Sequence, residues 1–143
     1  MQVEETDRLL VELLLSDGRM SYTDLAKATG LSTSAAHQRV RRLEERGIIR
    51  GYRAIVDPVA LDQALTAFLS LSSPGGPDTR DVSELLAELP ELKACYSVAG
   101  TDSYLLMARV ASALELEALL WEVRRRTGMS THTTIALSTK FER

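Results

Sequence analysis

Two short helical segments joined by a glycine turn are the feature that most constrains this chain. Ser21, with Asp24 three residues later, is close to a capping box and predicts the start of a helix. Gly30 ends that helix, and Ser32 then caps another that runs to Gly47. This order is the helix-turn-helix pattern, in which the second helix enters the major groove of DNA.

An amphipathic helix is predicted before this pair. The segment between Thr6 and Asp17 has its leucines spaced along one helical face, and Asp17-Gly18 ends it. Those leucines are Leu9, Leu10, Leu13 and Leu14. We therefore expect a three-helix domain at the N-terminus.

The helix after Ser32 divides cleanly into two faces. Ala36, Val40, Leu43 and Gly47 fall along one stripe, which we expect to pack on the other two helices. At 100° per residue, the opposite face carries polar and cationic side chains that point to solvent. These are Ser34, Gln38, Arg41 and Arg42.

Charge is distributed unevenly around this helix. The whole chain has a net charge of −3, yet residues 32–56 hold six arginines and two glutamates and so carry +4. Residues 1–31 carry −3 and residues 57–143 carry −4. A single basic block in an acidic chain favours a polyanionic partner at that block.

The side chains of this block suit double-stranded DNA. Hydroxyl and N–H groups of the first turn can bind a phosphate, Gln38 can pair with adenine, and Arg41 can pair with guanine. Arg42, Arg46 and Arg50 are assigned to phosphates, and His37 lies toward the flank of the helix, with no metal-ligand partner near it in the sequence. The full set of DNA-binding candidates is Ser32, Thr33, Ser34, His37, Gln38, Arg39, Arg41, Arg42, Arg46 and Arg50. The alternative is a solvated helix face on which Arg39 or Arg42 pairs with Glu45 or Glu44.

A connecting segment follows the helices. Ile48, Ile49, Tyr52, Ile55 and Val56 are β-formers and predict a wing or connecting strand, which Asp57-Pro58 closes. We therefore divide the chain into a DNA-binding domain over 1–50, a linker over 51–63 and a second domain over 64–143.

The second domain reads as strand, helix, strand, strand, helix, strand. The strands are "ALTAFLSLS", "LKACYSVA", "SYLLMARV" and "STHTTIALSTKF"; the helices carry stripes beginning at Val82 and Leu116, and "SSPGGPDT" (72–79) is a loop. The order βαββαβ predicts a ferredoxin-like α+β fold, with a four-stranded antiparallel sheet and two helices on one face.

The uncovered face of that sheet predicts a partner. We expect it to carry Phe68, either Leu105 or Leu106, and either Ile135 or Leu137. Apolar side chains on an uncovered face indicate that a second chain packs there, which predicts a homodimer. A dimer would also present two helix-turn-helix units to a palindromic operator.

The sequence gives little support for a membrane protein, a secreted protein, an enzyme or a metal-binding protein. No stretch approaches the ~20 apolar residues of a membrane span, the N-terminus shows no secretory signal, and one cysteine fits a reducing cytoplasm. Cys95 is expected to be a small buried apolar side chain. No Ser/His/Asp, Cys/His or metal-ligand spacing is present, so we expect neither an enzyme nor a metal site.

The sequence resembles the Lrp/AsnC, or feast/famine, family of transcriptional regulators. The resemblance rests on "TDRLLVELLLSDGRMSYTDLAKATGLS", "RVRRLEERGIIRGY", the "DP" linker, "VAGTDSYLLMARV" and "TIALSTK". It implies a winged helix-turn-helix domain followed by an ACT-like (RAM) effector domain, and dimers that commonly form octamers. It also implies an amino-acid effector bound at the seam between dimers, with no other cofactor.

The resemblance places the effector near a glycine-centred turn. The family often has G-D-x-D-Y there, and this chain has Gly100-Thr101-Asp102-Ser103-Tyr104. Gly100 can free N–H groups for a carboxylate, Asp102 can meet the ammonium, and hydroxyls can supply neutral hydrogen bonds. The candidate effector residues are Gly100, Thr101, Asp102, Ser103, Tyr104, Thr133 and Thr134.

These observations predict a cytoplasmic, sequence-specific DNA-binding regulator that responds to an amino acid or a related small molecule. Two alternatives stay open at this point. One is an Lrp-like enzyme of tetrapyrrole metabolism, of the sirohaem decarboxylase type. The other is a module that binds protein rather than DNA.

Overall fold

The computed structural model describes residues 4–74 and 81–142. The chain divides between Ile55 and Val56 into two compact units. This division falls inside the segment 51–63 that the sequence predicts as a linker. Residues 75–79 of the predicted loop lie outside the described residues.

The first unit contains three helices: α1 (Glu5–Ser16), α2 (Tyr22–Thr29) and α3 (Thr33–Glu45). Ser21 begins α2 by accepting a hydrogen bond from the Asp24 N–H at 3.1 Å, and its hydroxyl donates to the Asp24 carboxylate at 2.7 Å. Gly30, with φ 71°, ends α2 in the left-handed region that favours glycine. The expected helix-turn-helix arrangement is confirmed.

A small apolar core holds the three helices together. Its buried members come from all three helices and are Leu10, Leu25, Ala26, Ala36, Val40 and Leu43. Leucines, valine and alanines fill it, so the unit depends on aliphatic packing rather than on aromatic rings.

The prediction of a connecting strand is wrong for this chain. No strand is present between Arg46 and Gln63, and the segment holds only a short 3-10 helix at Pro58–Leu61. A strand needs a hydrogen-bonded neighbour, and β-forming residues alone do not supply one. Asp57 caps the 3-10 helix instead, accepting from the Val59 N–H at 3.0 Å.

The second unit has the predicted βαββαβ order. Its elements are β1 (Leu65–Ser72), α4 (Val82–Leu86), β2 (Leu92–Ser97), β3 (Tyr104–Val110), α5 (Ala113–Thr127) and β4 (Ser130–Ala136). The four strands form one antiparallel sheet in the order β2-β3-β1-β4. The ferredoxin-like α+β fold class is confirmed.

One sheet face and both helices form the second core. The strands contribute Ala67, Leu69, Leu71, Leu106, Ala108 and Val110, and the helices and the turn after them contribute Val82, Leu86, Leu116, Leu119, Val123 and Met129. Because side chains alternate along a strand, the odd positions of β1 face the helices and the even positions face away.

The open face differs in part from the expectation. Phe68 lies on this face and is 37 % exposed. Of the two leucines considered in β3, Leu105 lies on the open face, because Leu106 is fully buried in the core. Ile135 is opposite Ala67 and so belongs to the helix side, although at the sheet edge it stays 48 % exposed. Leu137 follows the end of β4, so neither of the two residues predicted for that strand lies on the open face.

Cys95 is another correction, because it is exposed rather than buried. Its register partner is Leu106, so it faces the helix side of the sheet. Its exposure follows from its position, because β2 is an edge strand and α4 is only five residues long.

Candidate nucleic-acid interface and ligand-binding turn

Helix α3 presents the two faces that its sequence predicts, except that Gly47, expected on the packed stripe, lies beyond the end of the helix and is exposed. Ala36, Val40 and Leu43 are at most 1 % exposed, which fixes the orientation of the helix. Ser34, Gln38, Arg41 and Arg42 are exposed on the other side. Ser32 caps the helix by accepting from the Ala35 N–H at 3.2 Å. The exposed first turn and this polar face form one continuous surface of α3, which we call the α3 surface.

Arg39 departs from the expected set of DNA contacts. Its Nη1 lies 2.8 Å from Oδ1 of Asp7 and 2.9 Å from Oε2 of Glu4. These hydrogen bonds to Glu4 and Asp7 raise the pKa of Arg39 above its usual value. The guanidinium is held against α1 within the domain, so Arg39 does not belong to the α3 surface.

The remaining arginines stay at the surface. Arg41 pairs with Glu45 at 2.9 Å, one turn along the same helix, and both side chains are more than half exposed. The alternative interpretation of this helix, a solvated face, placed such a pair at Arg39 or Arg42, whereas the structure has it at Arg41. An exposed pair of this kind contributes only ~0.3–0.5 kcal/mol, so a nucleic acid can displace it. Arg42, Arg46 and Arg50 are exposed.

His37 makes an aromatic contact at the flank of α3. Its ring lies 4.6 Å from the ring of Tyr22, at an interplanar angle of 77°. This edge-to-face geometry joins the first turn of α2 to α3. His37 is exposed and so remains next to the α3 surface.

Tyr52 is a residue whose position the sequence did not reveal. Its hydroxyl donates to Oε1 of Glu44 at 2.8 Å. Burial of the phenol and this hydrogen bond raise the pKa of Tyr52 to about 12. Its ring passes close to Gly18, where an added Cβ would lie 3.6 Å from Cδ1 of Tyr52. Tyr52 therefore attaches the start of the connecting segment to the helical domain.

The turn between β2 and β3 is closed by its flanking residues. The Val98 N–H donates to the carbonyl of Ser103 at 3.0 Å, and the Ser103 N–H donates to the carbonyl of Leu71 at 2.8 Å. Gly100 has φ 134°, a conformation that side chains rarely adopt. Asp102 and Ser103 are half-buried beside it.

The two threonines of β4 do not join this turn within one chain. Thr133 is opposite Leu69 and faces the helices, whereas Thr134 is opposite Phe68 and faces the open side. Strand β4 lies two strand spacings from β3, or about 10 Å, and three from β2, or about 14 Å. The predicted effector residues therefore form two separate groups, the turn 100–104 and the pair in β4.

Family models match both units of the chain. Residues 3–50 match a winged helix-turn-helix DNA-binding domain, and residues 66–143 match the Lrp/AsnC ligand-binding domain. The chain belongs to the Lrp/AsnC family. It is a transcriptional regulator with a DNA-binding domain and a ligand-binding domain, and the family resemblance of the sequence is confirmed.

Full-length relatives support this membership. The HTH-type transcriptional regulator LrpA of Mycobacterium tuberculosis is 44% identical over 139 residues, which cover 96% of this chain and 91% of LrpA. The leucine-responsive regulatory protein of Escherichia coli is 36% identical over 126 residues, which cover 87% of this chain and 77% of that protein.

Solved structures agree with the same family. A feast or famine regulatory protein from M. tuberculosis in complex with L-methionine is 43% identical to this Lrp/AsnC regulator, with a TM-score of 0.93. The match covers 99% of this chain and 96% of that one. In the part of this regulator that the structure describes, no helix is long and apolar enough to cross a membrane.

Proposed function

We propose that this regulator reads a specific DNA sequence with the α3 surface. The observation that carries the proposal is the burial of Ala36, Val40 and Leu43, because it holds Gln38 and Arg41 on the outer side of the helix. Gln38 and Arg41 contact base edges in the major groove. The neighbouring hydroxyls and cations contact phosphates: Ser32, Thr33, Ser34, Arg42, Arg46 and Arg50, with His37 at the margin.

Footprinting on the chain's own operator tests this proposal. The double variant Arg41→Ala, Arg42→Ala weakens specific binding by several kcal/mol in total, since a good base contact is worth about 1–3 kcal/mol. Lys93→Ala, which removes a cation from the second unit, leaves the footprint unchanged. A wild-type footprint from the double variant would overturn the assignment of the α3 surface.

We infer that the effector is an amino acid. Two observations support this: the second unit matches the Lrp/AsnC ligand-binding domain, and a relative 43% identical to this chain is described in complex with L-methionine. In the turn, backbone N–H groups near Gly100 bind the carboxylate and Asp102 binds the ammonium. Thr101, Ser103 and Tyr104 supply neutral contacts.

The geometry supports a site that is shared between chains. Because β4 lies at the far side of the sheet from β2, one small ligand on the turn 100–104 meets a threonine of β4 only if a second chain supplies it. Thr133 and Thr134 point to opposite faces, so one of them, not both, contacts that ligand.

A thermal-shift screen of the twenty amino acids identifies the effector, because a ligand that binds only the folded state raises the melting temperature. Asp102→Ala removes the shift and leaves basal DNA binding intact. A full shift with Asp102→Ala would place the ammonium elsewhere.

Dimers of this chain form through the open sheet face and bind a palindromic operator in the cytoplasm. Phe68, Leu105 and Met107 supply an apolar surface on that face. Light scattering after size exclusion tests the dimer. A stable monomer at micromolar concentration would overturn it.

A further inference from the structure

Tyr52 is the last residue of the connecting segment that a hydrogen bond attaches to the helical domain. Three residues earlier, Ile49 is half-buried against the core of that domain. Beyond Tyr52, residues 53–56 are exposed and take part in no hydrogen bond with any residue that the structure describes. The next fixed point is Asp57, which caps the 3-10 helix. We call residues 53–56 the exposed linker.

Two contacts hold Tyr52 in place. Its hydroxyl donates to Oε1 of Glu44 at 2.8 Å, and its ring lies beside Gly18, where an added Cβ would be 3.6 Å from Cδ1. Glu44 follows His37 by seven residues, or about two turns, and so lies on the same flank of α3, next to the α3 surface. Tyr52 is therefore attached to α3 itself, and it fixes the point at which the chain leaves the helical domain.

The length of unattached chain depends on whether Tyr52 is held. With Tyr52 in place, only the exposed linker separates it from Asp57. If Tyr52 is released, the last anchor is Ile49, and residues 50–52 join the unattached chain. An extended chain spans about 3.3–3.6 Å per residue, so release adds about 10 Å of reach, which equals the rise of about three base pairs of DNA.

We propose that Tyr52 is a positioning residue that sets the distance between the two operator half-sites that a dimer of this chain binds. While Tyr52 is held, the exposed linker limits how far each DNA-binding domain reaches. A changed spacing also rotates one half-site around the duplex, by a full turn in about 10 base pairs, so it demands extra reach. Such an operator is bound only after Tyr52 detaches, and the cost of detachment lowers its apparent affinity.

This inference rests on the α3 surface and the sheet-face dimer of the proposed function. Its test uses the full-length chain and synthetic duplexes that carry the half-site found by footprinting. One duplex has a single half-site, and the others have two half-sites whose spacing changes in steps of one base pair. The quantity compared is the spacing ratio, which we define as the affinity at the best spacing divided by the affinity three base pairs away from it.

Tyr52→Phe keeps the ring beside Gly18 and removes only the hydroxyl that Glu44 accepts. We expect it to lower the spacing ratio by about twofold to tenfold, which is the range for one hydrogen bond. Its affinity for the single half-site is expected to equal that of the wild type, because Tyr52 lies outside the α3 surface. A merely structural role would weaken binding to every duplex and leave the spacing ratio unchanged.

Variants of Glu44 separate the hydrogen bond from the charge. Glu44→Gln retains an oxygen that accepts from the Tyr52 hydroxyl, so it keeps the wild-type spacing ratio. Glu44→Ala has no acceptor and lowers the ratio as Tyr52→Phe does. Tyr22→Phe is the matched control, because it removes another phenol hydroxyl of the same domain that makes no hydrogen bond within the described residues. It is expected to keep the wild-type ratio.

Trypsin tests the attachment without DNA. Arg50 lies between the anchors Ile49 and Tyr52, whereas Arg53 lies beyond them, and a protease needs a chain that opens locally. Glu44→Ala leaves the cleaved sequence unchanged. We expect it to speed cleavage after Arg50 by about twofold to tenfold and to change cleavage after Arg53 little.

The results distinguish failure of this inference from failure of the proposed function. A wild type that prefers one spacing, together with a Tyr52→Phe variant that keeps the full preference, would overturn only the role of Tyr52. An unchanged rate of cleavage after Arg50 in Glu44→Ala would overturn the attachment. A wild type that binds two half-sites no more tightly than one would contradict the dimer, and the positioning role with it.

Discussion

Nη1 of Arg39 lies 2.8 Å from Oδ1 of Asp7, so a charge pair ties α3 to the first turn of α1. Asp7 is only 7 % exposed, whereas Glu4, the other partner of Arg39, is largely in solvent. The pair therefore fixes the inner flank of the helix that carries the α3 surface. We expect Arg39 to act on DNA binding by positioning that helix.

Removing Arg39 is expected to destabilise the helical domain. Arg39→Ala leaves a buried carboxylate without its partner, which costs about 1–3 kcal/mol. Urea unfolding followed by far-UV circular dichroism measures the loss. Glu4→Gln, a matched change at the exposed partner, alters the free energy of unfolding by less than about 0.5 kcal/mol. Equal losses from both variants would contradict the buried role of Asp7.

Salt dependence distinguishes the positioning arginine from the DNA contacts. Arg42→Ala removes a phosphate contact, so the slope of log K against log salt concentration becomes shallower by about 0.9. Arg39→Ala, measured where the domain stays folded, keeps the wild-type slope because its guanidinium is bound to Asp7 and Glu4. Filter binding across a salt series provides both slopes. A shallower slope for Arg39→Ala would show that Arg39 itself contacts DNA phosphates.

The helical domain was largely predictable because its signals are local. Ser21, Gly30 and Ser32 set the helix ends through contacts within a few residues, and the stripe from Ala36 to Leu43 sets the orientation of α3. The contacts of Arg39 with Glu4 and Asp7 were not predictable, because these partners lie more than thirty residues earlier in the chain. A helical wheel does not show that α1 carries a buried carboxylate at that flank.

The order of strands and helices along the second domain was predictable, but the register of the strands in the sheet was not. Alternation fixes which residues of a strand share a face, but it does not say which face meets the helices at an edge strand. Ile135 was misplaced for this reason. Cys95 lies on the helix side, as a core residue would, but is exposed because its strand is at the sheet edge. The separation of Thr133 from the turn at Gly100 follows from the strand order, which a linear motif does not reveal.

We expect the stability of the second unit to depend on pH through the ionisation of Glu122. Hydrogen bonds from Arg125, and then from Arg126, lower the pKa of Glu122 from 4.5 to about 2. A carboxyl whose pKa is lowered by folding stabilises the fold fully above its ordinary pKa and loses that contribution as the pH falls toward the folded value. The stability difference between wild type and Glu122→Gln therefore shrinks between pH 5 and about 2.

Urea midpoints followed by Trp121 fluorescence, at several pH values, measure this difference in the second unit. Glu84→Gln provides a control, since it removes an exposed carboxyl from the same unit. A difference that stays constant with pH would show that Glu122 keeps an ordinary pKa.

We expect position 100 to require glycine because of its backbone conformation, and not because a side chain would lack space. An added Cβ would meet no atom within 4 Å, but the φ of 134° is one that L side chains rarely adopt. Gly100→Ala is therefore expected to cost about 1–3 kcal/mol or to reshape the turn. Gly18→Ala is the matched control, because Gly18 has no positive φ and its Cβ would meet Tyr52 and Leu14 only at ordinary contact distances of 3.6 and 3.7 Å.

The two outcomes for Gly100→Ala can be told apart. If the turn keeps its shape, Trp121 fluorescence shows a lower unfolding midpoint while the amino-acid thermal shift persists. If the turn changes shape, N–H groups near residue 100 move away from the ligand carboxylate and the thermal shift is lost. Unchanged stability together with an unchanged ligand response would contradict both the strained backbone at Gly100 and its place in the effector site.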